Sequence, residues 1–379
     1  VFAPYFSQVT AELASPQTGS LKQSSRPGKV LRKVAGQFTF RKPLNTLALE
    51  EAKRNVIARS PARGGATKQS HKNMVYSCRN ILEWAGAQLV SASVSSPRLD
   101  AELLLEFALQ TPRLELLLNP CRPVTEKEFA LYEELIEKRA KRIPLQYITG
   151  EAAFRHLLLK VTPDVLIPRP ETELVAEEVI RLTKRLKEPW ILDIGTGSGA
   201  IALSVAYEVE TALVFATDIS EKALGVAGEN ARKYILEDRV TFVLSDLFED
   251  LPPSLRGHID VVVSNPPYVS MDYYPQLPPE IREHEPRVAL TGNLEKDPLQ
   301  YHKIIAREAL QFLKPGGYLV LEIGAEPARQ SYCGGQARQG CSGGHGREMA
   351  QILLQMGYTK AEIIKDLQGH DRIAKAKRT

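Results

Sequence analysis

Four consecutive residues, Asn265, Pro266, Pro267 and Tyr268, combine groups suited to holding a flat amino group. The two prolines fix the backbone and remove two N–H donors, so nearby carbonyl groups are held rigidly and face outward. The asparagine adds an amide oxygen, and the tyrosine adds an aromatic face. Hydride transfer has no use for such an arrangement. The motif therefore predicts methyl transfer to an amide or exocyclic amine nitrogen.

A second motif follows the short apolar run Trp190–Ile194 and consists of Gly195, Thr196, Gly197, Ser198 and Gly199. Glycines let the backbone approach a ligand closely and adopt conformations that other residues avoid. Together with Ala200, the spacing also satisfies the dinucleotide fingerprint G-x-G-x-x-G/A. The loop predicts an adenosine-containing ligand but does not choose between a nicotinamide dinucleotide and S-adenosylmethionine.

Acidic residues follow the next two apolar runs. Asp218 comes after the run that begins at Ala212, where a carboxylate can accept both hydroxyl groups of a ribose. It can equally cap the helix that follows. Asp246 is predicted to face the adenine edge, and Leu247 is predicted to pack on the ring.

The elements that must position these residues alternate after Pro170. Apolar runs occur at 190–194, 212–216, 240–244, 259–263 and 318–323, with helical stretches such as 221–234 and 301–312 between them. Alternating strands and helices predict a parallel, doubly wound α/β sheet. Ligands of such sheets bind beyond the carboxyl ends of the strands, which is where the motifs lie.

Residues before this region divide into three predicted segments. Residues 1–73 are basic and poor in periodicity, and we interpret them as disordered. They are either an organellar transit peptide or a non-native extension, and the second is favoured because Met74 precedes the first ordered pattern. Residues 74–143 carry helical apolar stripes and predict a helical domain. Residues 144–170 are predicted to form a β-hairpin linker to a methyltransferase domain at 171–379.

Composition excludes some functions. The chain has no long apolar run, so no membrane span is predicted. Four scattered cysteines suggest a reducing compartment, and we expect a cytoplasmic monomer, or a mitochondrial or plastid protein if 1–73 is a transit peptide. The body after residue 73 is mildly acidic, which argues against direct binding of nucleic acid. His302 and the run Lys375–Arg378 are predicted to be exposed.

The glycine loop, Asp218 and the Asn-Pro-Pro-Tyr motif resemble class I methyltransferases that act on amide or exocyclic nitrogens. The chain is most similar to the release factor glutamine methyltransferases, through the stretches Leu99–Leu105, Pro144–Gly150 and Val165–Glu173. The resemblance covers roughly Met74 to Lys377. It departs from the family in the leader and in an insertion at 327–346.

The resemblance implies a seven-stranded Rossmann-like sheet with S-adenosylmethionine bound by Gly195–Gly199, Asp218, Leu247 and Asn265. It also implies that Asn265–Tyr268 hold the glutamine of the Gly-Gly-Gln motif of a release factor, and that the N-terminal helices grip this partner. The proposed chemistry uses the Asn265 side-chain oxygen and the Pro266 carbonyl as acceptors for the amide N–H bonds. No strong general base is required, because the proton leaves after methylation.

Three other functions remain open at this point. The chain could methylate a glutamine of a ribosomal protein, methylate adenine N6 or guanine N2 of a nucleic acid, or be a dinucleotide-binding oxidoreductase. No metal site is predicted, because Cys333, Cys341 and His345 lack a usual zinc spacing. The same insertion contains Gln336 in a Gly-Gly-Gln tripeptide, which we interpret as a chance feature of a glycine-rich loop.

Overall fold

A computed structural model describes residues 76–292, 297–324 and 345–379. The predicted leader and most of the predicted insertion, including Cys333, Gln336 and Cys341, lie outside these residues. The helices are α1 (Cys78–Ser91), α2 (Pro97–Leu109), α3 (Arg113–Leu118), α4 (Glu126–Ala140), α5 (Leu145–Thr149), α6 (Thr172–Thr183), α7 (Ala200–Glu208), α8 (Glu221–Lys233), α9 (Pro279–His284), α10 (Arg287–Thr291), α11 (Gln300–Phe312) and α12 (His345–Gln355).

The strands are β1 (Tyr76–Ser77), β2 (Pro123–Val124), β3 (Glu151–Phe154), β4 (Leu157–Lys160), β5 (Trp190–Ile194), β6 (Leu213–Asp218), β7 (Val240–Leu244), β8 (Ile259–Ser264), β9 (Leu313–Glu322), β10 (Tyr358–Lys365) and β11 (Asp371–Arg378). Short 3₁₀ turns occur at Pro253–Leu255 and Tyr274–Gln276. No helix among the described residues is long and apolar enough to cross a membrane.

Helices α1, α2 and α4 pack around aromatic side chains. The rings of Trp84 and Phe129 lie 5.5 Å apart, and the buried Tyr132 donates a hydrogen bond to the Ala101 carbonyl at 2.9 Å. Helix α4 begins with a reciprocal capping box formed by Thr125 and Glu128, which satisfies donors that a helix start otherwise leaves free. The apolar stripes thus form a small helical bundle.

The segment predicted as a β-hairpin linker, 144–170, begins with a helix instead. Helix α5 follows Pro144, and Gly150 ends it in a left-handed conformation with φ +77°. The hairpin then occupies β3 and β4, which pair from Glu151 with Lys160 to Phe154 with Leu157. The hairpin is therefore shorter than the sequence pattern predicted, because Pro144 and Gly150, six positions apart, bound a helical turn before it.

Seven strands form one sheet in the order β10-β11-β9-β8-β5-β6-β7. Strands β5 to β9 run parallel, and β11 pairs antiparallel with both β9 and β10. One apolar core packs α6, α7 and α8 on one face, and another packs α11 and α12 on the other. The predicted doubly wound α/β fold is confirmed. The strand order reverses between β5 and β8, so a ligand crevice is expected there.

Two predictions of exposure are wrong. The run Lys375–Arg378 belongs to β11, and Lys375 is buried, with its Nζ 3.0 Å from Glu178 and 2.6 Å from Glu362. His302 is also buried, and its Nε2 lies 2.8 Å from the Glu322 carbonyl oxygen. Burial lowers the pKa of this imidazole to about 4. Both side chains find partners far away in the sequence, which no local pattern reveals.

Candidate active site

A cleft opens at the carboxyl ends of β5, β6, β7 and β8. The predicted site residues that line it are Gly195, Thr196, Gly197, Ser198, Asp218, Asp246, Leu247, Asn265 and Pro267. Gly199, Pro266 and Tyr268 are not among the residues that line it. The fold therefore brings residues from four strand ends to one space, as the topology of a doubly wound sheet requires.

The three glycines of the loop have positive φ angles, +74° at Gly195, +58° at Gly197 and +83° at Gly199. A Cβ atom at Gly195 or Gly197 would meet nothing within 4 Å, so the loop bends around open space. A Cβ atom at Gly199 would lie 2.9 Å from the Leu203 side chain. The first two glycines thus shape the cleft, whereas the third allows close packing at the start of α7.

Asp218 connects the end of β6 to the glycine loop. Its Oδ2 accepts a hydrogen bond from the Gly197 N–H, and its Oδ1 accepts one from the Ser220 N–H, both at 2.9 Å. Ser220, whose hydroxyl accepts from Ala223, is the residue that caps α8. Burial raises the pKa of Asp218. Each carboxylate oxygen keeps a further lone pair for a ligand hydroxyl.

Asp193 supports the glycine loop from beneath the cleft, a role that was not predicted from the sequence. It is the fourth of the five residues of β5 and is buried, and its Oδ2 accepts a hydrogen bond from the Thr196 hydroxyl at 2.7 Å. Burial raises the pKa of this carboxyl to about 7. An acid inside an otherwise apolar strand, two positions before the first glycine of the loop, was the signal that could have identified it.

The far end of the cleft is formed by Asp246 and Leu247. Asp246 is exposed, and Leu247 is half-buried with a positive φ of +52°. A positive φ is uncommon for a branched side chain and holds the backbone of this turn in an unusual conformation. The turn thereby places an acidic group and an apolar surface at neighbouring positions of the same wall.

The Asn-Pro-Pro-Tyr segment follows the carboxyl end of β8 and forms another part of the cleft lining. The Nδ2 of Asn265 donates a hydrogen bond to Thr172 Oγ1 at 3.2 Å. Pro266 is buried, and Pro267 reaches the cleft. The Tyr268 ring lies against Gly324, where a Cβ atom would approach it to 2.7 Å, and its hydroxyl is 3.4 Å from Glu322 Oε1. Burial raises the pKa of this phenol.

The stretch before α6 forms a third wall of the cleft. Arg169 lines it, and the guanidinium donates to the buried Glu285 at 2.5 Å. The Ile167 N–H donates to the other oxygen of Glu285 at 3.3 Å. Burial raises the pKa of Glu285, although Arg169 opposes the shift. One buried carboxylate thus ties this stretch to the segment that follows Tyr268.

Fold and site together define a Rossmann-like methyltransferase whose cofactor is S-adenosylmethionine. The glycine loop fits this group because it bends around open space beside Asp218. The described residues contain no cluster of three or more His, Cys, Asp or Glu side chains that could hold a metal ion.

Comparisons with known proteins identify the family within this class of methyltransferases. The family described as PrmC N-terminal domain matches residues 80–150, and the family described as methyltransferase domain matches 187–349. A release factor glutamine methyltransferase of Moorella thermoacetica is 40% identical over 78% of this chain and 96% of its own length. One from Rhodopirellula baltica is 36% identical over 77% and 93%. The chain belongs to the release factor glutamine methyltransferase family.

A third relative is longer. The bifunctional methyltransferase of Rickettsia felis is 36% identical over 79% of this chain, which spans 58% of that protein's length.

Proposed function

We propose that this protein methylates the side-chain amide nitrogen, N5, of the glutamine in the Gly-Gly-Gln motif of a peptide-chain release factor. One observation carries the proposal: Asn265 and Pro267 line the same cleft as Gly195–Ser198 and Asp218. Two residues of the segment suited to a planar amide therefore share one cleft with the residues suited to an adenosine ligand. The names of the relatives from Moorella thermoacetica and Rhodopirellula baltica support the same substrate.

The cofactor would be held by the glycine loop together with Asp218, Asp246 and Leu247. The loop brings backbone close to the ligand, Asp218 accepts the ribose hydroxyls, and Asp246 and Leu247 contact the adenine. S-adenosylmethionine, when bound, supplies a methyl group made electrophilic by a positively charged sulfur. The half-buried Leu247 and the prolines around the cleft help to exclude water from this group.

The acceptor nitrogen is a poor nucleophile because its lone pair is delocalised into the amide carbonyl. Asn265 Oδ1 and the Pro266 carbonyl accept its two N–H bonds and thereby aim the lone pair into the cleft. Tyr268, whose ring is supported by Gly324, provides the flat surface. Such alignment can remove about 7–11 kcal/mol from a barrier. The hydrogen bond to Asn265 also stabilises positive charge that develops on the nitrogen.

The remaining parts of the chain are assigned by the same proposal. The helical region, 74–143, grips the release factor, 144–170 links it to the catalytic domain, and 171–379 performs the transfer. We further propose that the protein acts as a cytoplasmic monomer, in line with its scattered cysteines. Light scattering on the purified chain measures the oligomeric state.

The decisive experiment incubates the full chain with methyl-labelled cofactor and, separately, a release factor, ribosomal proteins and duplex DNA. The expected result is one methyl group on the release factor and no label elsewhere. A release factor whose motif glutamine is replaced by alanine serves as the matched control and should remain unlabelled. Label on the ribosomal proteins or on DNA, with none on the release factor, would overturn the proposal.

A further inference from the structure

A buried carboxylate lies behind the Asn-Pro-Pro-Tyr segment. Glu322 is the last residue of β9 and is buried. Its Oε2 accepts a hydrogen bond from the Thr172 hydroxyl at 2.6 Å, and its Oε1 lies 3.4 Å from the Tyr268 hydroxyl. A buried acid is costly unless its oxygens find donors. Here both oxygens are directed at groups that support the proposed acceptor site.

Thr172 connects Glu322 to Asn265 through two hydrogen bonds. A threonine hydroxyl has one proton to donate and otherwise only lone pairs. Because the proton of Thr172 is committed to Glu322, its oxygen can only accept from Asn265. The 3.2 Å hydrogen bond from Asn265 Nδ2 to Thr172 Oγ1 satisfies this requirement. The order of donors therefore runs in one direction, from Asn265 through Thr172 to Glu322.

The direction matters because the two ends of an amide have opposite roles. The amide NH₂ group only donates, and the amide oxygen only accepts. We propose that Glu322 and Thr172 are positioning residues that hold the Asn265 NH₂ group away from the cleft, so that its oxygen meets the NH₂ group of the acceptor glutamine. This inference rests on the proposed function. An Asn265 amide turned over would oppose one NH₂ group to another and could not align the acceptor nitrogen, although the release factor would still be held by the helical region.

Other charged groups near Glu322 do not replace these contacts. Arg372 attracts the carboxylate from the neighbouring strand, but its Nη2 donates to Asp366 at 3.0 Å. Glu171, adjacent to Thr172, repels it. No hydrogen bond from a basic side chain to the Glu322 carboxylate occurs among the described residues. Thr172 and Tyr268 are therefore the side chains that donate hydrogen bonds to this carboxylate.

Three substitutions separate hydrogen bonding from packing. Thr172→Val keeps the shape and removes the hydroxyl, whereas Thr172→Ser keeps the hydroxyl and removes a methyl group. Glu322→Gln keeps the volume but can donate to Thr172, which would reverse the order of donors. With release factor as substrate, we expect Thr172→Val and Glu322→Gln to lower kcat by roughly tenfold to a hundredfold, less than the loss of a direct transition-state contact. Thr172→Ser should stay close to wild type.

Three readouts exclude a merely structural role. Cofactor Kd, measured by calorimetry, and KM for the release factor should remain unchanged in Thr172→Val and Glu322→Gln. In asparagine-labelled protein, the Asn265 side-chain NH₂ signal, assigned by its loss in Asn265→Ala, should exchange with solvent faster in Thr172→Val than in Thr172→Ser. Unchanged exchange or wild-type turnover in Thr172→Val would overturn the inference, as would equal loss in Thr172→Ser.

Failure of the proposed function gives a different result. If Asn265→Ala keeps wild-type turnover, the proposed role of Asn265 is wrong whatever the positioning variants do. If Asn265→Ala loses turnover while Thr172→Val keeps it, only the positioning role is wrong.

Discussion

The two walls of the cleft are constructed in different ways. On the cofactor side, Asp218 bonds to Gly197 and Ser220, which lie 21 and 2 residues away in the chain. On the acceptor side, Thr172 bonds to Asn265 across 93 residues and to Glu322 across 150. The contacts of Asp218 are thus local to one strand-loop-helix-strand unit and the turn that follows it. The acceptor side exists only when α6, β8 and β9 have come together.

The largest effect is expected from removing the central acceptor group. Asn265→Ala should lower kcat by about 10²–10³-fold, as loss of one preorganised contact to developing charge does in other enzymes. Cofactor Kd should change little, because Asp218 and the glycine loop remain. Single-turnover kinetics and calorimetry measure the two quantities separately. If cofactor binding weakened as much as turnover fell, Asn265 would belong to both walls, and the two walls would not act separately.

A second test addresses how the helical bundle supports the acceptor side. Glu280, in α9 after the Asn-Pro-Pro-Tyr segment, accepts hydrogen bonds from Arg139 at 3.0 Å and from Arg142 at 2.5 Å. Glu280→Gln should lower the free energy of unfolding by about 3 kcal/mol at neutral pH, because it removes one partner of a largely buried ion cluster. Urea denaturation of the full chain measures this loss. Glu283→Gln, at an exposed neighbouring acid, is the control and should leave stability near wild type.

The same contact predicts a pH dependence of stability. Burial would raise the pKa of Glu280, but the hydrogen bonds from Arg142 and Arg139 outweigh it and lower the pKa to about 2. A lowered pKa contributes stability above the ordinary value of 4.5 and loses it as the pH falls towards 2. The stability difference between wild type and Glu280→Gln should therefore shrink over this range. A difference that stays constant would contradict the assignment.

On the cofactor side, Asp218→Ala should raise cofactor Kd by about 10- to 100-fold, since hydrogen bonds to charged groups contribute about 1.5–3 kcal/mol. Asp218→Asn is the matched control. It should lose less affinity, because its side-chain oxygen still accepts one of the two backbone N–H bonds. Calorimetry with cofactor alone measures both variants. An unchanged Kd in Asp218→Ala would mean that this wall does not depend on the carboxylate.

The smallest effect concerns pH and turnover. Burial raises the pKa of Glu322 to about 7. Only the ionised carboxylate accepts hydrogen bonds from both Thr172 and Tyr268 without also acting as a donor. We expect kcat to decrease modestly as the pH falls through about 7, and Glu322→Gln to lack this decrease. Asp193→Asn is the comparison, because Asp193 titrates in the same range on the cofactor side. Its kcat profile should keep the dependence that Glu322→Gln loses.

The contrast between the walls also explains what the sequence could predict. Strands β5 and β7 have the predicted bounds, and the glycine loop with Asp218 lies where the pattern placed it, because these features depend on neighbouring residues. No pattern in the residues around Thr172 or Glu322 indicated that these side chains would connect to Asn265. Lys375 was misjudged for the same reason: its neighbours in the chain are those of an exposed tail, whereas Glu178 and Glu362 come from other elements.

The long separations between Thr172, Asn265 and Glu322 have a consequence for refolding. Contacts between distant residues form late, because the entropy of closing long loops opposes them until other structure is in place. A partly folded chain that has paired β5 with β6 would already possess the glycine loop and Asp218. After dilution from denaturant, the ability to bind cofactor should therefore return before the ability to turn over substrate. Turnover should return only when the hydrogen bonds that join Asn265, Thr172 and Glu322 have formed.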